Sequence, residues 1–210
     1  MDAALRDLSD QIDLATQRLL DTARVITEPD LRAPSLLPGW TRAHVLAHVA
    51  RNADAMRNLL AGVRSGRDRP GYASAQAREA GIEEGAGRKA GELAADLADS
   101  AMALRTVARQ LPDEGWQVPV RMLAEGDPYP AAELLTRRLV EVELHHGDLG
   151  AGYGPADWPA TFADMELAEP MRTWRQDRLS QPRTAELRPP RPPAPWRPGR
   201  PLPGSWLGTR

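Results

Sequence analysis

The chain has only four histidines, and they fall in two pairs: His44 with His48, and His145 with His146. Glu141 stands four residues before His145. On an α-helix, residues four apart share a face, so Glu141, His145 and Leu134 lie within about 40° of one another, with Asp148 just beyond. Leu135, Val142 and Leu149 flank that row, which therefore sits against the buried side. Glu143 lies nearly opposite and is expected to face water. A carboxylate and an imidazole held against a core are costly unless something satisfies them. A divalent cation would do so, and so would an ordinary i, i+4 interaction between the two side chains. In the earlier pair, His48 lies about 60° from the direction of Val45 and His44 about 100° away, so His48 is the one expected to point between helices. Two imidazoles and one carboxylate with a vacant fourth position are the donor set of a catalytic rather than a closed zinc site. Glu143 and His146 also form a Glu-x-x-His pair of the di-iron kind. That chemistry needs a second such motif, and the sequence has none.

The chain contains no cysteine. A disulfide framework, a thiolate nucleophile and a cysteine-ligated metal are therefore excluded, and any sulfur chemistry must be brought by a ligand. The net charge of -2 gives no electrostatic reason for a nucleic acid or anionic membrane partner. The first residues, MDAALRDLSDQIDLA, are acidic and amphipathic, unlike a secretory signal. No apolar run approaches the ~18 residues of a membrane span. A cytoplasmic protein is expected, as a monomer or weak dimer.

The elements that must position these residues read as helices. Leu5, Leu8, Ile12, Ala15, Leu19 and Ile26 mark an amphipathic helix over 3–26, closed by Pro29 and Pro34. Thr41 has the character of an N-cap for a second helix reaching about residue 64. A third stretch covers roughly 73–110, where Gly81, Gly85, Gly87 and Gly91 favour a kink or a division in two. Residues 111–130 read as a long crossover loop, and a fourth helix spans about 131–149 before Gly150 and Gly152. No segment alternates long enough to make a strand. The pattern predicts an all-α four-helix bundle over 1–160 with long crossover connections, the kind that builds metal sites from facing side chains. Residues 161–210 are expected to be irregular, and disordered from 181, where nine prolines fall between Pro182 and Pro203.

Three stretches, LPGWTRAHVLAHVARNADAM, QAREAGIEEGAG and RRLVEVELHHGDLGAGY followed by ADWP, occur in this order. Together they resemble the mycothiol-dependent maleylpyruvate isomerase family of the DinB-like metalloprotein superfamily, over roughly residues 5–165. The resemblance implies a DinB-like bundle with a divalent metal, zinc by expectation, on His48, Glu141 and His145. It implies mycothiol as the thiol cosubstrate and a small electrophile as substrate. Arg78 matches a substrate-binding arginine of the family and is assigned both to catalysis and to cofactor binding. Arg138, near the Glu141–His145 row, is the second candidate for anion contact, and Asn52, one turn after His48, the second for cofactor binding. Asp148 would orient a ligand imidazole or cap the helix end, and Trp40 would anchor packing. Family members with isomerase activity carry a smaller C-terminal domain, in whose place this sequence has the Pro/Arg-rich segment. The expected function is metal- and thiol-dependent isomerisation or transfer on a small electrophile, with cis–trans isomerisation of maleylpyruvate as the specific reaction. The alternative is a non-catalytic, metal-stabilised helical binding module, whose metal would be closed by a fourth protein ligand such as Asp148.

Overall fold

A computed structural model describes residues 2–180, so the expectation of disorder from 181 onward lies outside the described residues. Helix α1 (Ala3–Val25) starts where the Asp2 carboxylate accepts from the Leu5 amide at 2.9 Å, satisfying one of the orphan donors of the first turn. A short α2 (Glu28–Arg32) follows in the expected loop. The second long helix, α3 (Arg42–Ser65), begins after Thr41 and ends at Gly66, whose φ of 66° is the left-handed stop that glycine tolerates.

The third stretch is divided. Helix α4 (Ala75–Ala86) is capped by Ser74, and α5 (Ala90–Arg109) by Glu92, whose carboxylate reaches back to the Lys89 amide at 3.0 Å. The break at Gly87 is held from outside: Arg32 donates to the carbonyls of Ala86 and Arg88. Gly85 also serves close packing, because a Cβ there would come within 2.8 Å of the Ala47 Cβ on α3.

The crossover is not wholly irregular. It contains a 3-10 turn over Asp113–Gln117 that buries Trp116, and a two-residue antiparallel pair, β1 (Pro119–Val120) with β2 (Tyr129–Pro130). Pairs this short carry no alternation for sequence reading to detect. Helix α6 (Glu133–Asp148) then runs to Gly150, where φ is 60°.

Helices α1, α5, α3 and α6 pack in a ring, each against the next, with α4 laid on α3. Leu46, Val49, Leu97, Leu139 and Val142 are all fully buried in one half of the core, and Met56, Leu60, Trp116 and Leu134 fill the other. Arg42, itself buried, fastens the end of α6 to α3: its guanidinium donates to the carbonyls of Leu149 (2.7 Å), Asp30 (2.9 Å) and Gly150 (3.3 Å). These are carbonyls a helix terminus would otherwise leave unpaired.

Residues 161–180 depart from the expected irregular chain. They form α7 (Ala160–Ala163) and α8 (Met171–Ser180), and α8 packs on α6. Arg175 holds this segment together by donating to the Phe162 and Met165 carbonyls. Among the described residues, no helix is long and apolar enough to cross a membrane.

Candidate metal centre

His48 projects from the middle of α3 and Glu141 and His145 from successive turns of α6. His48 Nε2 lies 3.0 Å from Glu141 Oε2, and His145 Nε2 lies 3.2 Å from the same oxygen. The two imidazole rings meet edge to face with centroids 4.7 Å apart. One donor atom from each residue falls within 4.8 Å of the other two. Tetrahedral donors at ~2.1 Å from zinc stand ~3.4 Å apart, so the separations are close to those a shared cation demands. The trio could hold a divalent cation, and the chemistry of its donor set fits one.

The electrostatics agree with that reading. Burial alone would raise the Glu141 carboxyl, but hydrogen bonds and charge from His145 and His48 outweigh it and hold the group well below the usual carboxylate range. Burial opposes a charge on His145 as well, yet Asp148 and Glu141 raise it to about 9. His48 moves the other way, because its burial outweighs the pull of Glu141. Near neutral pH the extra proton thus resides on His145, whose Nε2 lies 3.2 Å from the ionised Glu141 carboxylate, beside a neutral His48.

Each ring is oriented from behind. Asp148 Oδ2 lies 2.9 Å from His145 Nδ1, the nitrogen opposite the trio. Asp148 is therefore not a fourth ligand, contrary to the closed sphere expected of the binding-module reading, and the orienting role is the one its geometry fits. Arg78 Nη2 lies 3.3 Å from His48 Nδ1. A guanidinium only donates, so Nδ1 accepts and the ring proton sits on Nε2, toward Glu141. Trp40 packs against both His44 and His48, with ring centroids 6.3 and 5.5 Å away. His44 points away from the trio. Its Nδ1 sits 2.7 Å from the Thr41 hydroxyl in a cap, as its angle on the helix predicts.

The trio faces a cavity of about 430 Å³ whose wall includes Trp40, Asn52, Tyr72 and Arg78. Asn52 accepts from Arg138, which places the amide between this cavity and the bundle interior. Arg138 itself stands behind that wall. It is 1 % exposed, donates to the Val49 carbonyl (2.8 Å) and Asn52 Oδ1 (2.9 Å), and makes no ion pair with Glu141. Its expected contact with a substrate anion is thus not what the geometry offers; it braces α3 against α6. Arg137, one residue earlier, does line the cavity, lying over the Tyr129 ring and paired with Glu133.

The matching family model describes the mycothiol maleylpyruvate isomerase N-terminal domain, and it covers residues 12–150. This chain belongs to that family. Two solved structures are similar to it: a mycothiol-dependent maleylpyruvate isomerase, at 32% identity, and a histidine-to-alanine mutant of a mycothiol-dependent maleylpyruvate isomerase, at 31%. Each superposes with a TM-score of 0.71 over 75% of this chain and 65% of that chain. The chain thus spans about two thirds of the length of either structure. No curated protein matches the sequence. Family membership agrees with the all-α, DinB-like architecture described above.

Two features of this family member escaped sequence reading. Glu143 does not face water. It is 1 % exposed, pairs with Arg18 at 2.6 Å and accepts from the Tyr153 hydroxyl. The cause is that α1 packs on this side of α6, bringing Arg18 and Thr22 against Glu143 and His146. His146 is buried on the same side, stacked on Tyr153 with ring centroids 3.8 Å apart and 2.7 Å from the Thr22 hydroxyl. Burial, with the charge of Arg18, pushes its pKa down to about 3. The Glu143–His146 pair is thus part of the α1–α6 packing. Trp174 and Arg178 of α8 also line the cavity. Their four-residue spacing puts them on one helix face, but Pro/Arg-rich surroundings hid the helix.

Proposed function

We propose that this chain is a metal-dependent, thiol-dependent isomerase of small electrophiles, using mycothiol, with cis–trans isomerisation of maleylpyruvate as its specific reaction. The observation that carries the reading is the convergence of His48, Glu141 and His145 on one point that opens onto a cavity, in a chain of this family that has no cysteine. His48, Glu141 and His145 would hold the cation, zinc by the character of the donor set. When bound, it would supply the positive charge that lets a thiol exist as thiolate near neutral pH.

The residues around it have separate tasks. His145 would give up its Nε2 proton when the cation takes its place, while Glu141 is already ionised and His48 already neutral. Asp148 keeps the His145 Nε2 lone pair turned inward. The His48 ring then carries its proton on Nδ1, a position at which Arg78 can no longer donate. Arg78 is tied otherwise to Glu79, an exposed partner that competes weakly, so its guanidinium is free to take a substrate or thiol carboxylate. Arg137 and Arg178 line the same wall, but each is already paired, with Glu133 and Asp148 respectively, so Arg78 is the guanidinium left for an anionic ligand. Trp40, Tyr72 and Met122 supply apolar surface that limits water.

The covalent chemistry belongs to the thiol. Addition of its sulfur to the cis double bond of maleylpyruvate leaves a single bond free to rotate. Reversal of the addition restores the alkene as fumarylpyruvate and returns the thiol, with no net oxidation. The test is to incubate metal-loaded protein with mycothiol and maleylpyruvate and to follow fumarylpyruvate. Turnover that requires both thiol and metal, and is lost in His48→Ala, is expected. Absence of thiol-dependent turnover on maleylpyruvate and on other small electrophiles would overturn the reading and leave the binding-module alternative.

A further inference from the structure

Helix α8 lies beyond residues 12–150, the segment by which the family is recognised, yet it reaches the metal centre. Arg178 on its last turn makes a two-pronged contact with Asp148: Nε to Oδ1 at 3.2 Å and Nη2 to Oδ2 at 2.9 Å. Asp148 Oδ2 in turn holds His145 Nδ1 at 2.9 Å. Asp148 is 1 % exposed, and the Arg178 side chain only 18 %. A buried carboxylate bonded only to an imidazole would be free to turn about its last torsion. The planar fork of a guanidinium fixes both oxygens at once.

We infer that Arg178 is a positioning residue of the metal centre: α8 locks the Asp148 carboxylate, and through it the His145 ring, in the orientation that turns Nε2 toward Glu141 and His48. This inference rests on the proposed metal role of the trio. It extends the functional unit to residue 178, so that residues 171–180 are part of the site and not an appendage to it. Trp174, one turn earlier on the same helix face and also in the cavity wall, gives α8 a second hold on the site. The chain Arg178–Asp148–His145 crosses from α8 to α6, and no other described side chain is hydrogen-bonded to Asp148.

Removing partners of this kind behind a ligand typically costs about 10- to 100-fold in metal affinity. The test is a double-mutant cycle on the zinc dissociation constant at fixed pH, by competition with a chromophoric chelator, using Arg178→Met, Asp148→Asn and the double variant in the full chain. Because Arg178 acts through Asp148, the second substitution should add little once the first is made. Arg178→Lys, which keeps one charge-assisted contact, should recover part of the loss. Additive effects, or an Arg178→Met protein that keeps its fold by circular dichroism and binds zinc as tightly as the parent, would overturn the inference.

A second readout needs no metal. In metal-free protein the hydrogen-bonded Nδ1 proton of His145 should give a low-field, slowly exchanging nuclear magnetic resonance signal that Arg178→Met broadens or removes. A signal unchanged by the substitution, or absent from the parent, overturns the positioning role. A signal that depends on Arg178 in a protein that binds no zinc upholds the positioning and overturns the metal reading instead.

Discussion

Metal binding at the trio should release one proton, and the size of the effect follows from the three groups taken separately. Glu141 is held well below the usual carboxylate range, so it is already ionised near neutral pH. His48 is lowered by burial and is already neutral there. His145, lifted to about 9, is the one group that must lose its proton before Nε2 can ligate. The sign is therefore fixed: proton and cation compete, and the competition fades as pH rises through about 9. Below that, apparent affinity should increase about tenfold per pH unit, or about 1.4 kcal/mol. Between about pH 6.5 and about pH 8 the gain should be roughly 30-fold. At neutral pH only about one molecule in a hundred carries His145 in its binding form. Zinc titrations by calorimetry in two buffers of different ionisation heat count the released proton directly, and chelator competition gives the slope. Asp148→Asn removes one of the two groups that raise His145, so it should flatten the slope near neutral pH. A zinc affinity independent of pH over this window, or proton uptake on binding, would refute the assignment of charge in the trio.

Other outcomes are expected. Metal-loaded protein should be more stable than metal-free protein by about 2.7 kcal/mol at a free metal concentration 100 times the dissociation constant, and His48→Ala should abolish that difference in thermal unfolding. Arg78→Met should lower kcat/KM for an anionic electrophile by about 10- to 100-fold, the loss of one charge-assisted hydrogen bond, while metal content is retained; steady-state kinetics with parallel elemental analysis checks this. Arg42→Met removes the donors to two carbonyls at the end of α6, Leu149 and Gly150, and to the Asp30 carbonyl of α2. It should cost about 2–4 kcal/mol in denaturant unfolding. Glu143→Ala leaves the Tyr153 hydroxyl without its acceptor and Arg18 without its partner, and should cost about 2–3 kcal/mol by the same measurement.

Much of this was written locally in the chain. The 3.6-residue recurrence of Leu8, Ile12, Ala15 and Leu19 places α1, and Thr41 with Gly66 brackets α3, because caps and apolar faces are set by residues within a few positions of one another. The same short-range geometry puts Glu141 and His145 on one face of α6 and turns His48, rather than His44, toward the interior. The missing cysteine excluded by itself a thiolate or a cysteine metal ligand supplied by the chain. What α6 meets on its other sides is a different kind of information. A helix's angular pattern shows which residues are neighbours on its surface but not how many surfaces close around it. Glu143 is buried because α1, more than a hundred residues earlier, covers that side. Arg138 turns inward because the Val49 carbonyl and Asn52 on α3 accept from it, while Arg137 beside it takes the cavity wall. Arg178 reaches Asp148 only because α8 folds back over α6. Each of these pairings joins residues at least 30 positions apart, so only the packed structure could bring them together.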